Sequence, residues 1–153
     1  MQARSFPVLA GSGAALAIGI LAYLDQATTN GLWLMAPFGA TTVLVFGVPQ
    51  SPLAQPRNVI CGHLLSAIIG VCFAQYVGVY PWSMALATGL AIMVMLATKT
   101  THPPAGADPM LIMLLGKSWP FVLNPVLAGA VIIVAVGYMV NTAIPQWLAK
   151  NEA

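Results

Sequence analysis

The chain has 153 residues, of which 59% are hydrophobic and only 5% charged, against about 25% charged in a soluble domain. Five Lys/Arg and three Asp/Glu give a net charge of +2, scattered singly along the sequence. These figures exclude a soluble domain, a nucleic-acid surface and a polybasic lipid patch, and leave an all-α protein built for the bilayer.

Residues 8–24 form the first predicted span, with Gly11, Ala15 and Gly19 at four-residue spacing as a small face. The start could pass for a signal peptide, but no small-x-small cleavage site precedes Asp25, which favours a retained span. Residues 25–30 are polar and turn-like. Residues 31–48 are apolar but interrupted at Pro37 and Gly39, and Thr41 is expected to cap a short helix ending near Gly47. A proline-rich loop occupies 49–58. Residues 59–79 form a full span carrying Gly62, Ser66, Gly70, Ala74 and Gly78 every fourth position, a stripe for helix packing. Tyr80-Pro81-Trp82 marks a membrane interface. The span 82–98 then runs into Lys99-Thr-Thr-His-Pro-Pro-Ala-Gly-Ala-Asp-Pro109. Pro103 and Pro104 break the helix there, and Asp108 as N-cap with Pro109 as first helical residue restarts it to about Gly116. A polar link at 117–120 precedes the last span, 121–144, which Pro145 ends.

A shift of about 67 positions sets Pro37 on Pro104, Gly39 on Gly106, Ala40 on Ala107, Thr41 on Asp108, Gly62 on Gly129 and Gly70 on Gly137. The expected architecture is a single membrane domain of two inverted repeats, about 8–79 and 82–145, each a span, a broken half-helix span and a span. If the broken segments cross, there are six passes, with Arg4, Arg57, Lys99 and Lys150 on one side and Lys117 on the other. If they re-enter, there are four full spans and the split is two against three. The positive-inside rule prefers six passes with both termini cytoplasmic. The glycine stripe is longer than one neighbour requires, which points to a homo-oligomer, a dimer first.

An ionised side chain inside a bilayer is costly and marks function by default. Lys99 and His102, three apart, are therefore the leading pair, and the first copy holds Leu32 and Met35 at the matching positions. The half-helix N-termini near Gly39, Ala40, Thr41 and Thr42, and near Gly106, Ala107 and Asp108, would offer free backbone N–H groups to a small anion at a shared midplane site. His102 and Asp108 are the candidates for proton coupling, or Asp108 pairs with Lys99. The simpler roles are a snorkelling lysine, a histidine bonded to freed backbone, and plain Pro-Gly kinks. Arg57 and Asn58 read as topological and capping residues, and His63 as a polar packing residue of the third span, with lining the cavity as its alternative. Cys61 and Cys72 lie ~16 Å apart along one helix and cannot pair within the chain. There is no metal spacing, no cofactor motif, no phosphate loop and no nucleophile beside a base, so no enzyme is expected.

His102-Pro103-Pro104 gives its name to the family that the chain resembles, the HPP family of integral membrane proteins. The resemblance takes in residues 101–107, Ala36-Pro-Phe-Gly-Ala40, residues 51–58 and Gly62-His63, within a reach of roughly 8 to 145. Several members look like nitrite transporters of cyanobacteria and chloroplasts. The resemblance implies transport of a small monovalent anion, nitrite first, and members are usually described as having four spans. This chain carries Ala105 where many relatives have glycine, and Asp108-Pro109 follows. With no transit peptide, the expected home is a bacterial inner membrane. The competing readings are a non-transporting membrane scaffold and a proton or cation pathway.

Overall fold

A computed structural model describes residues 6–28 and 32–143, and every regular element among them is helical. The helices are α1 (Phe6–Ala27), α2 (Ala36–Thr42), α3 (Pro56–Tyr76), α4 (Pro81–Ala97), α5 (Asp108–Leu114) and α6 (Ala128–Tyr138). A π-helical turn, Val43–Gly47, extends α2, and two more, Val122–Leu127 and Met139–Ala143, flank α6. Short 3-10 turns cover Pro52–Ala54 and Pro103–Ala107. Arg4, Pro145 and Lys150, which entered the charge and boundary expectations, lie outside the described residues, as do positions 29–31.

Prolines set most of the starts. α2, α3, α4 and α5 each have one in the first two helical positions, where the missing N–H has no intrahelical partner to lose. This corrects the reading of Pro37 as a break, because α2 begins at Ala36 and Pro37 lies inside its first turn. The interruption falls earlier, over residues 32–35. Pro103 and Pro104 likewise enter a 3-10 turn, with extended backbone confined to the residues before them, such as His102 at φ −136°. The last span is not continuous either. Asn124 leaves helical backbone at φ −135°, ψ 111°, directly before Pro125, a boundary that the residue before a proline commonly marks.

Three stretches are long and apolar enough to cross a membrane, Phe6–Ala27, Pro56–Tyr76 and Val122–Thr142, with shorter apolar helices at Ala36–Gly47 and Pro81–Ala97. The contacts show how the broken segments run. At the start of α3, Arg57 donates to the Thr98 carbonyl at 3.1 Å and Asn58 to that of Thr101 at 2.9 Å. Further along α3, Gly62 faces His102 and Gly70 faces Pro109. At its end, Gln75 donates to the Lys117 carbonyl and Trp119 to the Tyr76 hydroxyl. The stretch from Thr101 to Lys117 therefore runs alongside α3 from its start to its end, roughly 30 Å. The first copy behaves alike: Trp33 N–H donates to Asp25 at the end of α1, while Gly47 and Val48 lie beside Phe6 and Leu9 at its start.

The small residues let these segments approach. A Cβ on Gly70 would meet Ile112, and one on Gly137 would meet Val45. The two glycines are 67 positions apart, and so are Val45 and Ile112. Gly70 thus packs against residue 112 and Gly137 against residue 45, two contacts related by the same spacing of 67. Much of the α3 stripe faces inward here, with Gly62, Ser66 and Gly70 all buried. It packs the protein's own broken segment, so it no longer argues for a second chain. Phe38, Phe46, Val59, Ile112, Val126 and Ile133 form the core between the copies, while Leu86, Met93 and Leu96 of α4 point outward, as a lipid-facing surface requires.

Candidate functional site

Four polar side chains meet in the core with no exposed surface: Thr41 from α2, His63 from α3, His102 from the segment after α4, and Asp108 from the start of α5. They form one line of hydrogen bonds. His102 Nδ1 lies 2.8 Å from the Leu53 carbonyl oxygen, which can only accept, so that nitrogen donates. His102 Nε2 lies 3.0 Å from Thr41 Oγ1, and His63 Nε2 lies 2.8 Å from the same oxygen. His63 Nδ1 stands 2.7 Å from Asp108 Oδ2. Thr41 also reaches the Pro37 carbonyl at 3.0 Å. Asp108 Oδ1 is buried and has no hydrogen-bond partner among the described residues.

Local structure fixes each member. Thr41 and Asp108, 67 positions apart, bond opposite nitrogens of the His63 ring, so the ring stands between α2 and α5. The ring is also held edge-on by Phe38, at 5.2 Å between centroids, and by His102, at 5.0 Å. His102 can come this close because residue 62 is glycine: a Cβ there would lie 2.8 Å from His102 Cβ and 3.1 Å from the Thr100 carbonyl. His63 is the eighth residue of α3, about 10 Å along the helix. The cluster therefore sits about 5 Å to the proline-rich side of the middle of α3.

His102, Asp108 and Thr41 come together as expected residues of one site, but in different roles. Asp108 makes no capping bond, and Thr41 lies within α2 instead of before it. Lys99 is exposed and stands apart from the cluster. It takes a left-handed conformation, φ 57°, and closes α4: its N–H donates to the Leu96 carbonyl and that of Thr100 to Met95, the Schellman arrangement. Gly39 and Ala40 are exposed, and Gly106 and Ala107 half-buried. A Cβ on Gly39 or Gly106 would meet nothing within 4 Å. Thr42 is buried and bonds the Gly39 carbonyl at 2.7 Å. The free N–H groups expected at the two half-helix starts do not form a shared site, because Gly39–Thr42 lie inside a helix and the Asp108 N–H bonds Ala105.

His63 is the residue whose part sequence reasoning missed. Its signal was present, since an ionisable ring inside an apolar span is functional by default. The expectation that no nucleophile lies beside a base also needs correction, because Thr41, His63 and Asp108 stand in the order hydroxyl, imidazole, carboxylate of a hydrolase triad. Full burial of Thr41, with its hydroxyl shared between two rings and a carbonyl, leaves an acyl substrate no approach.

Helices of this length and apolarity around a sealed ionisable centre define a multi-pass α-helical membrane protein. The HPP transmembrane region matches residues 3–147, and the chain belongs to that family. Two transmembrane proteins of Dictyostelium discoideum are similar to it, 37% and 34% identical in alignments 134 residues long that cover 82% of this chain. The match takes in 47% and 43% of those proteins, so the chain spans a little under half their length. No solved structure matches it.

Proposed function

We propose that the protein transports a small monovalent anion across a membrane, with Thr41, His63, His102 and Asp108 as its working centre. One observation carries this reading: two histidines and an aspartate lie fully buried where both broken segments meet. Stability alone is served as well or better by apolar packing. Membership of the HPP family is consistent with transport, and nitrite is the first substrate to try because members that this chain resembles look like nitrite transporters. The proposed setting is six passes with the Arg57 and Lys99 end cytoplasmic, in a bacterial inner membrane, as a homo-oligomer, acting without a cofactor and not as an enzyme. A proton pathway through the same side chains is the second reading, favoured by the unbroken line from Leu53 to Asp108.

The test is uptake of labelled nitrite, nitrate and formate into proteoliposomes. Saturable uptake of at least one anion, lost in His63→Gln, is expected. No uptake of any of them, with the protein shown to be folded and inserted, overturns anion transport, and acid-driven current without an added anion selects the proton pathway.

A further inference from the structure

We propose that Thr41, His63, His102 and Asp108 form a proton-binding site that completes its hydrogen bonds only by holding one proton more than two neutral rings and an ionised carboxylate supply. The inference deepens the transport reading and rests on it for its use: a centre that must take up a proton to be complete couples proton movement to the carried solute.

His102 Nδ1 carries hydrogen because Leu53 offers it only a carbonyl. An ionised Asp108 only accepts, so His63 Nδ1 carries hydrogen as well. Two neutral rings in that arrangement both turn a bare Nε2 towards Thr41, at 2.8 Å and 3.0 Å. The hydroxyl has one hydrogen and can satisfy only one of them, and then not the Pro37 carbonyl. The other contact sets lone pair against lone pair. One added proton removes the conflict. Placed on His102 Nε2, it leaves Thr41 donating to His63. Placed on His63 Nε2, it leaves Thr41 donating to His102. Every contact along the line from Leu53 to Asp108 is then made, and the site is neutral overall. The proton comes from bulk water and returns to it, and no bond between heavy atoms changes.

Among the described residues, the elements that build the site supply no other compensating charge. α2 carries no titratable group, α4 none, and α5 only Asp108. Tyr138 of α6 is exposed. On α3, Arg57 is exposed and bonded to Thr98, Cys61 and Cys72 are half-buried, and Tyr76 is exposed. Lys99 is exposed. The unpartnered Asp108 Oδ1 adds to the case, since a bare carboxylate held by one hydrogen bond in the core would be an uncompensated charge.

The test is thermal unfolding of the detergent-purified full chain between pH 7 and 9, wild type against Asp108→Asn. Above about pH 7 the histidines of the unfolded chain are largely neutral, so a folded state that holds the extra proton loses stability as the pH rises. The wild-type midpoint should fall by roughly 3–5 °C per pH unit over the range in which the folded chain keeps the proton and the unfolded chain does not, and level off once the folded chain releases it. In Asp108→Asn the amide donates to His63 Nδ1, His63 Nε2–H to Thr41, Thr41 to His102 Nε2, and His102 Nδ1–H to Leu53. That line is complete without an added proton, so the variant's profile should lack the fall. Identical profiles overturn the proposal. Should the variant not fold, nitrogen NMR of the wild-type rings replaces it: an Nε2–H on one ring at pH 7 is expected, and two rings with a bare Nε2 at pH 7 overturn the proposal. No substrate is added, so a protein that transports no anion can still pass, and failure here leaves saturable uptake untouched.

Discussion

Replacing Gly62 by alanine should disable the protein, although the change adds one methyl group to a position that carries no chemistry. The new Cβ would lie 2.8 Å from His102 Cβ and 3.1 Å from the Thr100 carbonyl oxygen, where carbon atoms in contact prefer about 3.5–4.0 Å. His102 must therefore retreat by about 1 Å. Its contacts have no such slack: 2.8 Å to Leu53 and 3.0 Å to Thr41 lengthen beyond hydrogen-bonding range. Overpacking of this kind costs about 1–3 kcal/mol, a fall of roughly 2–4 °C in unfolding midpoint for each kcal/mol in a chain of this size. If the His102–Thr41 contact contributes about 1.4 kcal/mol to the working state, uptake should drop about tenfold. The control is Gly106→Ala, inside the motif, where the added Cβ meets nothing within 4 Å and little change is expected. The assays are initial uptake into proteoliposomes and thermal unfolding in detergent. A Gly62→Ala protein with wild-type uptake and midpoint, or a Gly106→Ala protein impaired in its place, would refute the reasoning.

Thr41→Val keeps the shape but leaves two ring nitrogens without their hydroxyl, so its midpoint should fall by the equivalent of about 1–3 kcal/mol for each buried group stranded. Thr41→Ser should restore most of that loss, and a valine variant as stable as wild type would mean that the hydroxyl is not needed. Lys99→Gln should leave uptake within about twofold of wild type, since the side chain is exposed beyond the cluster, and Lys99→Gly should raise the midpoint by the equivalent of about 1 kcal/mol by relieving the left-handed backbone at φ 57°. A tenfold loss of affinity in Lys99→Gln would return the lysine to the site. Single cysteines at Ser51 and Ser118, in a background without Cys61 and Cys72, should label from opposite faces of the membrane, with Ser51 cytoplasmic; labelling from one face would mean that the segments re-enter.

Composition, the apolar runs and the proline punctuation were enough to read an all-helical membrane protein, because hydrophobicity and backbone restriction are local properties of the chain. The shift of 67 set Thr41 on Asp108, and both of these residues bond the His63 ring. What sequence could not settle was which polar groups meet. Lys99 and His102 are three apart, yet one closes a helix at the surface and the other is sealed in the core, because the extended turn between them reverses their exposure. His63 looked like an isolated polar residue until residues 41, 102 and 108 converged on it, across separations of 22, 61 and 45 positions between the successive bonded partners Thr41–His63, Thr41–His102 and His63–Asp108. Such contacts depend on how whole helices pack. The absence of a side chain at Gly62, Gly70, Gly129 and Gly137 permits that packing, and only the tertiary structure decides which neighbour fills each space.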